Sequence, residues 1–233
     1  MRHAILQRLG TSAFGRRRVL RARLSRAGRL AFTGAILLCG GVGTQARPVQ
    51  AHSTAALPEA PALRAGTEAR PVAAWTDFCA RHPGECAVNV REPARIALTP
   101  SIRAMLDSVN HRVNARIRPI TDMAHWGVVD RWDFPDDGTG DCEDFQLLKR
   151  RMLVARGLPR RALRMTVVID DLGEGHAVLM VRTDRGDLIL DNKTDAILSA
   201  QGTGYSFIKR EGQDGLAWVT LNGGESPVAT ANR

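Results

Sequence analysis

The chain has 233 residues and a formal net charge of +9, enough length for one domain with a sizeable core. Residues 1–51 hold ten arginines and no Lys, Asp or Glu, which leaves 23 basic against 24 acidic residues, a formal charge of −1, for the remainder. The basicity therefore belongs to a leader, and composition excludes nucleic-acid binding as the reading of the whole chain.

The leader, 1–51, predicts a cleaved signal peptide and hence a periplasmic protein. An Arg-rich stretch runs to Arg29, an apolar run covers 30–43, and small-residue cleavage sites follow at Thr44-Gln45-Ala46 or Val49-Gln50-Ala51. The apolar run is short and Gly-rich for a membrane span; an uncleaved anchor or a transit peptide is the alternative. Residues 52–73 are rich in Ala and Pro without periodicity and read as a flexible linker. The folded domain is expected over 74–222, with a disordered tail at 223–233.

Cys79 and Cys86 bracket Pro83-Gly84, a turn signal, and in an oxidising compartment the plain expectation is a local disulfide. Metal binding by Cys79, His82 and Cys86 is the alternative, and it lacks the fourth ligand that structural zinc requires. With Cys39 in the leader, Cys142 is the odd thiol.

From Ser101 to about Arg116, Ile102, Met105, Leu106, Val109 and Val113 recur at helical spacing behind Thr99 or Pro100. Residues 117–140 read as irregular, with two tryptophans (126 and 132) and several acids. A second helix is expected from about Asp141 to Arg156, acids in its first turn, bases towards its end and Gly157 as the stop. Strands follow at 164–170, 176–183, 187–192, 205–210 and 216–221, the second and third joined by the hairpin signal Asp184-Arg185-Gly186. Helices followed by hairpin-linked strands predict an α+β domain with an antiparallel sheet packed on helices.

Cys142 opens the second helix, where unpaired N–H groups favour the thiolate, the reactive form. His176 begins one strand and Asp191 ends its hairpin neighbour, so both come to one end of the sheet. With a loop from Thr183 to Gly186, Asp191 falls opposite Val178, two positions from His176; a three-residue loop breaks that parity unless Gly186 forms a bulge. Triad logic then makes Cys142 the nucleophile, His176 the proton carrier and Asp191 the group that orients it. A small buried Cys, with His and Asp in structural hydrogen bonds, is the bland alternative.

Asp77–Cys86, Pro119–Asp122, Gly140–Phe145, Lys149-Arg150, Gly173–Leu179 and Leu188–Asn192, in one order and spacing over 75–221, resemble the bacterial transglutaminase-like cysteine proteinases. The resemblance implies a papain/transglutaminase-like core and assigns that family's Cys, His and Asp to Cys142, His176 and Asp191. It implies a protein or peptide substrate. One branch of the family comprises periplasmic, calcium-dependent proteases that cut large surface adhesins and are held in check by an inner-membrane receptor. Many other members have no assigned substrate, and this chain is closer to them, since its Cys pair, Trp126 and Phe145 do not identify the adhesin-cutting branch. Acyl transfer to an amine and an inactive binding module of the same fold remain the competing readings.

Asp141, Glu143 and Asp144 beside a thiol should raise its pKa and oppose the helix terminus. A bound hard cation removes that conflict. By resemblance, Asp141 and Glu143 are the expected calcium ligands, with Asp122 as a third; the alternative is that these acids simply favour the helix start and face solvent.

Overall fold

The structure is a computed structural model that describes residues 59–221. The expected signal peptide, the first part of the expected linker and the expected tail lie outside those residues. Among the described residues no helix is long and apolar enough to cross a membrane.

The sheet has seven strands: β1 (Ala65–Ala69), β4 (Leu163–Ile169), β5 (Gly175–Thr183), β6 (Gly186–Leu190), β7 (Leu198–Ser199), β8 (Ser206–Glu211) and β9 (Trp218–Leu221). Their order across the sheet is β1-β9-β8-β4-β5-β6-β7 and every pairing is antiparallel. A separate parallel pair joins β2 (Arg118–Pro119) to β3 (Thr139–Gly140). The helices are α1 (Ala73–Arg81), α2 (Pro83–Cys86), α3 (Pro100–Arg116), α4 (Asp122–Trp126) and α5 (Cys142–Val154). The expected mixed helix and antiparallel-sheet class is therefore the observed one.

The linker expectation is corrected over its second half. Ala65–Ala69 forms the edge strand β1, paired with β9, and α1 begins at Ala73. The segment shows no apolar alternation because four of its five residues are exposed, and its order comes from pairing with a strand about 150 residues later in sequence. The stretch 117–140 is likewise not wholly irregular, since it contains α4 and the two short parallel strands.

Helix α3 is opened by Thr99, whose Oγ1 accepts the Ile102 N–H at 3.2 Å, with Pro100 at the first helical position, where a missing N–H costs nothing. It buries Leu106, Val109 and Val113. Helix α5 buries Phe145, Leu147 and Leu153 and stops before Gly157, which takes φ +90, a conformation costly for any residue with a Cβ. These faces join Met165, Val167, Leu179 and Val181 of the central strands in the main core. Burying each such side chain contributes about 1.5–3 kcal/mol. A smaller cluster, which includes Val168, Val178, Met180, Ile189 and Phe207, covers the other face.

Cys79 and Cys86 form the expected disulfide across the α1–α2 turn, which removes the zinc alternative. Cys142 is the free, buried cysteine among the described residues.

Candidate active site

The nucleophile candidate is placed by the start of α5. Asp141 is the N-cap and Cys142 the first helical residue, 1 % exposed. Its thiol donates to Glu143 Oε2 at 3.1 Å, and its sulfur accepts the Ala177 N–H at 3.4 Å. The second contact seats the thiol against β5 beside His176.

The partners are placed by the β5–β6 hairpin. Thr183 pairs with Gly186, so the loop is Asp184-Arg185, and Leu179 pairs with Leu190. Continuing that register sets Asp191 opposite Val178, the parity needed for the two side chains to meet. Gly186 is required at the turn: its φ is +112, and a Cβ there would lie 2.1 Å from the Ala60 carbonyl oxygen. At the far end of the hairpin, His176 Nε2 lies 2.9 Å from Asp191 Oδ1, both residues 2 % exposed.

Asp191 is held on all sides. Its Oδ1 also accepts the Lys193 N–H at 3.0 Å, and its Oδ2 accepts the Tyr205 hydroxyl at 2.8 Å. Burial opposes its charge, but the bond from His176 and those from Lys193 and Tyr205 hold its pKa below the ordinary carboxylate value. An ionised Asp191 fixes the tautomer: Nε2–H donates to it, and Nδ1 is left as the basic nitrogen. Tyr205 also packs its ring edge-on to His176 at 6.0 Å between centroids. Lys193 braces the site a second time, its ammonium bonding Asp170, whose Oδ1 accepts the Leu172 and Glu174 N–H groups at the turn before His176. Leu172, at that turn, is 74 % exposed.

The expected acids do not face solvent. Asp122, Asp141, Glu143 and Asp144 are buried, and together with Asp130 they fall into two overlapping groups, Asp122-Asp130-Glu143 and Asp122-Asp141-Asp144. Within each group the ligand oxygens lie within 4.8 Å of one another. Oxygens on opposite sides of a calcium ion are about 5 Å apart, so either group fits around one ion. Four oxygens, Asp122 Oδ1, Asp130 Oδ1, Asp141 Oδ1 and Glu143 Oε1, are buried with no hydrogen-bond donor. Such lone pairs are costly unless a proton or a cation meets them. A hard, all-oxygen donor set of this kind suits calcium rather than a softer metal.

The electrostatics agree. Burial and the neighbouring charges push Asp130 up to about 7, Asp141 to about 6 and Asp144 to about 9, and push Glu143 well above its ordinary value. Burial, Glu143 and Asp141 together push the Cys142 thiol well above its usual value. With no counter-charge, burial and the acids hold the Cys142 thiol protonated and override the helix terminus. Asp122, Asp141 and Glu143 were the expected ligands; Asp130 and Asp144 were not. Asp144 carries a signal in hindsight: it accepts the Asp133 N–H at 2.8 Å and the Asp141 N–H at 3.4 Å, which folds the preceding loop onto the helix start.

A family model of the bacterial transglutaminase-like cysteine proteinases matches residues 65–226. The chain belongs to this family. The match covers the sheet from β1 onwards together with the whole of the site, so membership in a cysteine peptidase family applies to the domain that holds Cys142. Among solved structures the chain is similar to Legionella pneumophila LapG, with 30 % identity over 53 % of this chain and 69 % of that one and a TM-score of 0.44. It is similar too to structures of that protein described as calcium-bound (30 % identity, 57 % of this chain and 77 % of that one, TM-score 0.46) and EGTA-treated (29 %, 55 % and 70 %, TM-score 0.45). No curated protein matches.

Proposed function

We propose that this family member is an exported, calcium-dependent cysteine peptidase that hydrolyses a protein substrate through Cys142, His176 and Asp191. The observation that carries the reading is a thiol at the first position of α5 whose sulfur accepts the N–H of Ala177 at 3.4 Å, the residue after His176, together with a His176 ring already bonded to the buried Asp191 carboxylate. In the reaction, His176 Nδ1 takes the thiol proton and Cys142 attacks the substrate carbonyl carbon. The Cys142 N–H, unpaired at the helix start, donates to the oxyanion. The imidazolium gives its proton to the leaving amine as the C–N bond breaks, and a thioester remains. His176 then takes a proton from water, which displaces the sulfur and releases the carboxylic acid.

Asp122, Asp130, Asp141, Glu143 and Asp144 would hold calcium, which when bound supplies positive charge against the acids. Glu143 then no longer needs the thiol proton to satisfy its oxygen, and Cys142 is free to pass it to His176. Export follows from the leader, and a cell-surface protein such as an adhesin is the substrate class the family resemblance suggests. An inner-membrane regulatory receptor belongs to the same reading. Met123 and Trp126 of α4 and Val128 and Val129 just after it are exposed apolar side chains suited to such a partner, with the Trp126 ring under Arg131 at 4.6 Å.

The test compares exported proteins, by mapping new N-termini, in cells carrying the native chain or Cys142→Ala. At least one cleavage is expected to vanish with the thiol. In vitro, Cys142 in calcium should react with iodoacetamide much faster than a free thiol, and His176→Ala should slow it. Unchanged processing together with ordinary thiol reactivity would reject the peptidase and favour the binding module.

A further inference from the structure

Cys142, Gln146 and Lys149 stand four and three residues apart and so share one face of α5. Lys149 lies about 10 Å down the helix from the nucleophile. Its side chain is wholly buried, and its Nζ has no hydrogen-bond partner. A bare ammonium in such a place is among the costliest groups a protein can carry, so it needs partners.

The neighbouring side chains leave a matching set. On α3, Asn110 and Asn114 are one turn apart. Asn110 Nδ2 donates to the Thr194 and Asp195 carbonyls, both at 3.1 Å. Asn114 Nδ2 donates to the Asp191 carbonyl at 3.0 Å, the Thr194 carbonyl at 3.1 Å and Asp195 Oδ1 at 2.9 Å. From α5, Gln146 Nε2 donates to Asn192 Oδ1 at 3.3 Å. Three amides thus grip the segment 191–195 through their nitrogens. Their oxygens, Asn110 Oδ1, Asn114 Oδ1 and Gln146 Oε1, are all buried and unpaired. The packed helices α3 and α5 thus carry three orphaned acceptors and one orphaned group that has three N–H bonds when charged, its Nζ otherwise 5.9 Å over the Phe145 ring.

We propose that Lys149, in its ammonium form, is a positioning residue for Asp191: it closes onto the oxygens of Asn110, Asn114 and Gln146, directly or through water, and locks the segment 191–195 behind the His176–Asp191 pair. The inference rests on the triad reading above. The carboxylates around it favour its charge against the cost of burial. Burial pushes Lys149 down to about 7, and Asp191 and Asp195 act against that. The other titratable groups around the segment include Lys193 within it, Asp170, which bonds the Lys193 ammonium, His111 of α3, which meets Asp195 at 2.8 Å, His176 of β5, and Tyr205. The positive charge behind Asp191 helps keep that carboxylate ionised without leaning on His176 alone.

The test uses the full chain loaded with calcium in a Cys142→Ala background, where the imidazole titrates without its thiol partner. The His176 ring is followed by NMR against pH. Lys149→Met is expected to raise its titration midpoint by about one unit, as removal of one nearby positive charge requires, and Lys149→Arg to bring it back towards the parent value. A purely structural lysine would lower thermal stability and leave the midpoint in place, which would overturn the proposal. In case Lys149→Met does not fold, the unmutated side chain gives a direct answer. Its Nζ nitrogen resonance at pH 6 should be that of a protected ammonium, and a neutral amine would overturn the proposal equally. Peptidase activity retained by Cys142→Ala would instead reject the triad, a separate outcome from either lysine measurement.

Discussion

The Asp191 carboxylate accepts three hydrogen bonds, and that from the Tyr205 phenol is the one that can be removed with least disturbance. Tyr205→Phe keeps the ring against His176 and deletes only the donor to Oδ2. A bond to a charged acceptor contributes about 1.5–3 kcal/mol, so kcat is expected to fall by roughly tenfold or more with KM little changed; steady-state kinetics check the split. The acid cluster gives a second prediction. Asp130, Asp141 and Asp144 have folded pKa values raised above their unfolded ones, so their contribution to stability is fully present below the unfolded values and lost as pH rises through the folded values of about 7, 6 and 9. With calcium chelated, the melting temperature should therefore fall between pH 5 and pH 9, by roughly 5 °C or more, and added calcium should flatten that slope in a thermal scan. Cys142, His176 and Asp191 were legible because each sits at a recognisable boundary: a helix start, a strand start, a strand end. Tyr205 was not, since nothing local distinguishes it and its contact arises only when β8 joins the sheet. Asp130 was visible only as one loop acid among several, because spacing cannot say which way an irregular segment folds back.

At the scale of elements, the turn from β3 into α5 depends on a missing side chain. A Cβ on Gly140 would lie 2.7 Å from Asp144 Oδ2 and 2.8 Å from its Cβ. Gly140→Ala must push Asp144 away from the other carboxylates. Calcium affinity, measured by titration calorimetry, is expected to fall at least tenfold, and an unchanged affinity would remove Asp144 from the ligand set. The β5–β6 hairpin was legible in place but not to the residue: Asp184-Arg185-Gly186 marked the turn, Gly186 is instead paired with Thr183, and of the two loop lengths left open the observed one has the parity that sets Asp191 opposite Val178. Strand β1 was not, because both its faces are largely exposed and only its pairing with β9 orders it. Two-residue strands such as β7 leave no periodic trace at all.

Across the whole molecule, two neighbouring strands, β8 and β4, and the helices α1 and α5 are tied through one buried carboxylate. Glu211 of β8 accepts Arg150 of α5 at 2.7 and 2.8 Å, the Trp75 indole of α1 at 2.7 Å and the Met165 N–H of β4 at 2.9 Å, with Arg164 at 3.9 Å. Burial opposes its charge, and Arg150 and Arg164 hold its pKa below the ordinary value. Its contribution is thus present above the unfolded pKa and lost as pH falls through the folded one. Glu211→Gln leaves two arginines facing no buried charge and should cost about 3 kcal/mol in urea unfolding at pH 7. No sequence pattern announced this knot, since its members lie on four separate elements. The thiol at the centre of the same fold has a fate of its own outside catalysis. Sulfenic acid forms from accessible thiolate, and Cys142, 1 % exposed with its S–H donated to Glu143, offers neither access nor charge. Hydrogen peroxide should inactivate the calcium-loaded protein several-fold faster than the chelated one, as read by mass spectrometry of dimedone-trapped Cys142, and equal rates would uncouple arming from vulnerability. On the proposed reading, such a peptidase would keep its shelf life only while idle, and each calcium-armed molecule would work against a corrosion clock.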